Sequence, residues 1–407
     1  MSEEGRRGTL SLVLAGGGIT GAMYEFGALQ ALDHFFSGPF RVNDFDIFVG
    51  TSGGAVVAAL MANRVPPGDV GRAIIHNTDS PLNFKQDDII EIDWREFKSS
   101  LMKALRVVPA LFRFYRRNPK LFSVARVLYA LEENLPPGLY SLDKYQAYLR
   151  RLLARQGCVN SFEGLSRELY IPAIHLDTGD RVLFGTPGWR DVLISDAIAA
   201  SSALPLYFQP VSIKGLDFVD GGVAGVAHVD MPIQRGSRFL VLVNPIIPLH
   251  NDPGTVCIPT FSGHCARIRE KGITFVVDQT QRISAREKLA LGLERFRAHH
   301  PESRIFLIEP PATDSFMFME NILNYGSRVA MLNYGYRSTA RHLRARFDAY
   351  RQAFAGYGID VSLEGLQEDN PWEPAPSLAV PPAAPASEAG PEIARTVAAG
   401  GGDGTAA

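Results

Sequence analysis

The 407-residue sequence reads as an α/β fold assembled from strand–turn–helix units. Three observations predict it. Leu10-Ser11-Leu12-Val13-Leu14-Ala15 is a short apolar run that enters the turn Gly16-Gly17-Gly18-Ile19-Thr20-Gly21. Phe45-Asp46-Ile47-Phe48-Val49 is a second such run, and Gly50-Thr51-Ser52-Gly53-Gly54 separates it from the apolar stretch 55–61. Far downstream, Leu216-Asp217-Phe218-Val219-Asp220 is a short strand that ends at Gly221-Gly222.

The first turn leads into a helix with apolar residues at Met23, Phe26, Leu29 and Leu32. Glycines between a strand and a helix expose consecutive backbone N–H groups, which can bind a phosphate or a developing oxyanion. The spacing Gly16-x-Gly18-x-x-Gly21 also fits a dinucleotide fingerprint. That alternative requires an acidic residue at the end of the second strand. Asp46 stands at the start of that strand, so its place is wrong.

The second turn is a G-x-S-x-G pentapeptide between strand and helix. In that context glycines permit a sharp turn that presents the serine hydroxyl, and the helix N-terminus favours negative charge beside it. Ser52 is therefore a candidate nucleophile, with an N-cap role as the plainer alternative. Asp-Gly-Gly by itself is an ordinary turn. Here it closes the segment Asp196-Ala197-Ile198-Ala199-Ala200-Ser201-Ser202-Ala203-Leu204-Pro205-Leu206-Tyr207-Phe208-Gln209-Pro210.

Taken together these motifs resemble the patatin-like phospholipase family. That family carries a Gly-rich loop, then G-x-S-x-G, then Asp-Gly-Gly or Asp-Gly-Ala, in that order. The 196–210 segment and Ile171-Pro172-Ala173-Ile174-His175-Leu176-Asp177-Thr178-Gly179-Asp180 match its stretches before the aspartate. The resemblance covers residues 8 to 235. It implies a three-layer fold with a central, mostly parallel sheet. It also implies a Ser–Asp dyad with Ser52 as nucleophile and Asp220 as general base. Gly16, Gly17, Gly18 and Gly53 would form the oxyanion hole, and Gly21, Gly50, Gly54, Gly221 and Gly222 are the remaining motif glycines. The implied activity is hydrolysis of lipid acyl esters, of phospholipase A or lysophospholipase type. The alternatives are a thioesterase or acyltransferase on the same dyad, or a non-catalytic lipid-binding protein. No cofactor or metal is expected.

Two positions depart from the family pattern. Thr20 stands where the family usually has Arg or Lys, and Asp230 replaces the Asn of an Asn-x-Pro after a longer spacer. A Ser–Asp–His triad is the alternative to the dyad, but an α/β-hydrolase elbow normally follows several strands and Ser52 comes after only two. Among the late histidines, His228, His250, His264, His299, His300 and His342, only His228 lies close to Asp220 in sequence. His264 sits between Cys257 and Cys265, at a spacing that fits no zinc template.

Composition sets the outer limits. A net charge of −2 gives no global attraction to nucleic acid. Three scattered cysteines suggest a reducing compartment, and residues 1–7 lack a signal-peptide pattern. The expected location is the cytoplasm, with access to a membrane surface. Between Trp94 and Arg126 lie Arg95, Lys98, Lys103, Arg106, Arg113, Arg116, Arg117, Lys120 and Arg126, interleaved with apolar residues. This basic amphipathic pattern suits an anionic lipid surface, but the favoured reading is a surface helical insertion whose apolar face covers the core, and a lid would do both. Pro109 should break or kink it. The expected organisation is a catalytic domain over 8–310, with a helical, lid-like insertion at about 80–150. A packed helical region over 311–370 and a disordered Pro/Ala/Gly-rich tail over 371–407 complete it.

Overall fold

The computed structural model describes residues 8–366 apart from 90, 93, 119–122, 124–133, 226, 253–257, 259 and 261–263. The expected tail at 371–407 therefore lies outside the described residues, as do Lys120, Arg126 and Cys257.

The chain opens with strand β1 (Leu10–Leu14), helix α1 (Gly18–Phe35), strand β2 (Ile47–Gly50), and helices α2 (Gly53–Ala62) and α3 (Pro67–Ile75). A peripheral stretch follows, with β3 (Glu91–Ile92), helix α4 (Trp94–Arg117), β4 (Gly138–Ser141) and α5 (Asp143–Leu153). The chain returns as β5 (Glu168–His175), β6 (Arg181–Phe184), α6 (Ile194–Ser201), β7 (Leu206–Phe208), β8 (Val211–Ile213) and β9 (Leu216–Asp220). It ends with β10 (Phe239–Val243), α7 (Ile273–His299), β11 (Arg304–Ile308), α8 (Arg328–Ala345) and α9 (Phe347–Ala355).

The main sheet has eight strands in the order β11-β10-β1-β2-β5-β9-β8, with β6 also paired to β5. Strands β11, β10, β1, β2 and β5 run parallel, while β6, β8 and β9 join antiparallel. A three-stranded sheet, β3-β4-β7, lies to one side. The central strands are apolar throughout because both faces of the sheet are covered. Successive side chains alternate in direction. Leu10, Leu12 and Leu14 join Phe48 in one core with helices α1, α2 and α8. Val13, Ala15 and Val49 face the opposite way, with Leu289, Leu293 and Phe296 of α7. Two helical layers thus enclose one sheet.

Helices α1 and α8 approach to backbone contact. A methyl on Gly27 would meet the Leu332 carbonyl at 2.1 Å, and one on Gly335 would meet that of Tyr24 at 2.2 Å. Burial of α1 is almost complete around its circumference, so its sequence shows little amphipathic pattern.

Three sequence expectations change. α4 is continuous through Pro109, so the proline does not end it. The carbonyl that a proline frees is that of residue i−4, here Leu105, whose side chain stands in solvent and leaves water access to the site. Five of the described apolar side chains of α4 also do not cover the core. Met102, Leu105, Val108, Phe112 and Phe114 are 46–71% exposed. Finally, Cys265 is disulfide-bonded while Cys158 is a free thiol, which runs against the reducing compartment that three scattered cysteines suggested. Among the described residues, no helix is long and apolar enough to cross a membrane.

Candidate active site

The two N-terminal turns lie side by side because their strands do. Leu14 of β1 is in register with Gly50 of β2, so both turns leave the same carboxyl edge of the sheet, where α/β folds place their sites. The loops interlock so closely that side chains are excluded. A methyl on Gly53 would meet the Gly18 carbonyl at 2.3 Å, and one on Gly54 would meet that of Leu14 at 2.7 Å.

Ser52 sits at φ 54° and ψ −125°, a strained conformation for a residue with a Cβ. Its hydroxyl caps no amide of α2, so the N-cap reading does not hold. Its own N–H donates to Ser201 Oγ at 2.9 Å, which ties the elbow to the end of α6.

Asp220 reaches the same place from the far side of the sheet. It ends β9 opposite Ala173 of β5, and its N–H donates to the Ala203 carbonyl at 3.0 Å. Its carboxyl is buried and lies close enough to the Ser52 side chain for that hydroxyl to favour its charged form. Gly222 N–H donates to Asp220 Oδ1 at 2.7 Å. Burial pushes the carboxyl up to about 6, against the lowering effect of the Ser52 hydroxyl and the Gly222 amide. A carboxyl in that range is a stronger base when ionised than an ordinary aspartate, and it is ionised at neutral pH.

The glycine-rich loop needs a correction. Gly16, Gly17 and Gly18 have φ of 87°, 118° and 64°. The Gly16 N–H, expected in the oxyanion hole, instead donates to Glu25 Oε1 at 3.0 Å. Among the described residues, the N–H groups of Gly17, Gly18 and Gly53 have no protein acceptor. The amides of Ile19 and Thr20, next along α1, are taken by the Ile322 carbonyl at 2.7 and 3.4 Å.

Ser52 and Asp220 open onto a cavity of ≈ 470 Å³. Met23, Phe26, Leu60, Ile74, Phe84 and Leu152 line its apolar part. One face of α7 supplies a polar wall of Asp278, Gln281, Arg282 and Lys288. Arg282 Nε is paired with Asp278 at 2.7 Å, and Lys288 Nζ donates to the Val223 carbonyl at 3.1 Å. Thr20 is buried on the cavity wall and brings no cation there.

His228 braces the turn without entering the Ser52–Asp220 pair. Its Nε2 lies 3.4 Å from the Gly221 carbonyl and its Nδ1 is 3.0 Å from Arg181. Arg181 in turn holds Asp230 through two bonds of 2.9 and 2.6 Å. Burial and the Arg181 charge push His228 down to about 4, so it is neutral at pH 7. Asp230, the odd residue after Asp220, is thus the anchor of a bridge that supports the Asp-Gly-Gly turn. Among the described residues no group of three or more His, Cys, Asp or Glu could hold a metal.

The sequence reading missed Ser201, Glu25 and Ile322. Ser201 was within a noted segment but carried no separate signal. Glu25 had one: it is the lone charged residue between Gly18 and Leu32. Ile322 is brought in only by tertiary folding.

A family model described as patatin-like phospholipase matches residues 12–231, more than half of the chain. The chain belongs to the patatin-like phospholipase family. The matched range contains Ser52, Asp220 and the loop glycines. Within curated relatives, the chain is 24% identical over 247 residues to the uncharacterized protein YjjU of Escherichia coli K12, covering 59% of this chain and 52% of that one. It is 39% identical over 75 residues to a cGAMP-activated phospholipase of Escherichia coli TW11681, covering 16% and 21%. The chain therefore spans about half, or less, of the length of the curated relatives it matches. The crystal structure of VipD from Legionella pneumophila aligns with a TM-score of 0.33 at 13% identity, covering 84% of this chain and 67% of that one.

Proposed function

We propose that this patatin-like protein is a serine acyl hydrolase that cleaves lipid carboxylic esters, of phospholipase A or lysophospholipase type, through a Ser52–Asp220 dyad. One observation carries the reading. A strained serine stands beside a buried carboxyl at the end of a largely apolar cavity, next to three amides that have no protein acceptor among the described residues.

Chemistry follows from that arrangement. Asp220 takes the Ser52 proton as Oγ attacks the ester carbonyl carbon. The carbonyl oxygen becomes an oxyanion, and the N–H groups of Gly17, Gly18 and Gly53 stabilise it. The C–O bond to the alcohol breaks and Asp220 returns the proton to the departing oxygen. Water then attacks the acyl-enzyme, again giving its proton to Asp220, and the acid is released as Ser52 regains a proton. The apolar part of the cavity would take the acyl chain. The polar wall of α7 would face the headgroup.

The α4 segment supplies a means of reaching lipid. Leu105, Val108 and Phe112 follow each other at helical spacing and are exposed, while Lys103, Arg106, Arg113, Arg116 and Arg117 flank them. Such a surface suits peripheral contact with an anionic bilayer.

The test is hydrolysis of short nitrophenyl esters and of phospholipid vesicles by wild type, Ser52→Ala and Asp220→Asn, with labelling by a fluorophosphonate. Activity in wild type with loss in both variants is the expected outcome. Wild type that is inert on every ester, with Ser52 unlabelled, would refute the reading. Transfer of the acyl group to a thiol or alcohol in preference to water would redirect it to an acyltransferase.

A further inference from the structure

We infer that Glu25 is a positioning residue that shapes the oxyanion hole by holding the Gly16 amide. This rests on the hydrolase reading above and adds a residue that neither the motifs nor the family match singles out.

Glu25 lies on α1 with no solvent exposure. Its Oε1 accepts the Gly16 N–H at 3.0 Å, nine residues back along the chain. Its Oε2 is buried and, among the described residues, has no hydrogen-bond partner. An ionised carboxylate in that setting would lack the partners that make a buried charge tolerable. Burial drives the group well above the usual carboxylate range, against the pull of the Gly16 amide. The neutral acid is thus the form the site accepts.

The consequence for the loop is geometric. Three successive residues at positive φ direct their amides differently, and one of the three is taken inward by Glu25. That bond pins the start of the loop from behind. Among the described residues the amides of Gly17 and Gly18 stay unclaimed, beside that of Gly53. A hydrocarbon at position 25 would leave the Gly16 N–H buried and unpaired, and the loop would have to twist to satisfy it. An anion there would set a negative charge behind the place where the substrate oxygen becomes negative. Neutrality and an acceptor oxygen are both needed, and a carboxylic acid or a primary amide provides both.

The experiment compares Glu25→Gln, Glu25→Ala and Glu25→Leu in the full chain. It reads kcat and KM on a nitrophenyl ester, the rate of fluorophosphonate labelling of Ser52, and thermal stability. Glu25→Gln keeps an acceptor for Gly16 and should hold kcat within about twofold. Glu25→Ala and Glu25→Leu should lower kcat by about 10- to 100-fold with KM little changed, below the ~100- to 1,000-fold loss for removing one oxyanion donor outright. The labelling rate should fall in parallel, because the tetrahedral adduct places its oxygen in the same hole. If Ala and Leu do not fold, Gln still decides. A Gln variant that folds yet loses kcat overturns the inference, since it would mean the acid itself is required. So would an Ala variant with full kcat. Failure of the hydrolase reading is distinct, because there wild type itself would show no Ser52-dependent turnover.

Discussion

At the carboxyl edge of the sheet the Gly16 and Ser52 turns leave no room for a methyl group, whereas along α4 the apolar side chains of Leu105 and Phe112 are largely exposed among the described residues. Both regions follow a strand by a helix. In the first, burial on both sides fixes every atom, so strain at Ser52 can be held by its surroundings. In the second, side chains that would normally drive packing remain in water and are free to enter another apolar phase. In the proposed function, the difference separates the part of the molecule that is preorganised for the reaction from the part that meets the lipid surface.

The largest effect that bears on this contrast is at Ser52, the proposed nucleophile. Ser52→Ala should lower turnover by on the order of 10⁴-fold or more while leaving the fold intact, checked by ester hydrolysis and circular dichroism. Retained turnover would detach the rigid edge from catalysis.

The second is electrostatic. Turnover should rise about tenfold per pH unit below about 6 and level off above it, as Asp220 ionises. The sign for stability is opposite. Asp220 is held above its unfolded value, so the native state keeps its proton over the window from the ordinary carboxylate range to about 6. Stability falls as pH rises through that window and stays lower above it, by ~3 kcal/mol. Asp220→Asn should abolish activity and yet raise the denaturation midpoint at pH 7 while changing it little at pH 3. Denaturant titrations at the two pH values test this.

The third compares packing directly. A methyl on Gly50 would meet the Gly54 carbonyl at 2.4 Å and Ala58 Cβ at 2.6 Å. Gly50→Ala should cost ~1–3 kcal/mol or more. Phe112→Ala, at an exposed site, should stay within ~0.5 kcal/mol. Equal losses would remove the distinction between the two regions.

The smallest effect concerns the surface itself. Phe112→Asp should lower the fraction bound to anionic vesicles several-fold, and the rate on vesicles more than the rate on dispersed ester. Sedimentation with vesicles reads this. Unchanged binding would make α4 a helix with another partner.

Much of this was legible from residues alone. The alternation of apolar runs with glycine turns pointed to the α/β layers, because strands buried on both faces lose their polar positions. Ser52 and Asp220 were legible through the turns that carry them. Gly16 was misread because a row of glycines shows that amides are presented, and not which way each one points. The fate of α4 was undecided for a related reason, since amphipathic periodicity names a face without naming what covers it.

The sequence by itself determined the local chemistry: the elbow at Ser52, the acid before Gly221-Gly222, the glycines that only a close approach requires. Those are short-range properties of backbone sterics and residue type. Only the tertiary structure decided which groups meet. It brought Asp220 to Ser52 across the sheet, turned the Gly16 amide to Glu25, seated Ile322 on the start of α1, and buried Asp220 enough to push its carboxyl up to about 6. Each depends on contacts between residues distant in the chain, or on burial from all sides, and neither is a property of any short segment.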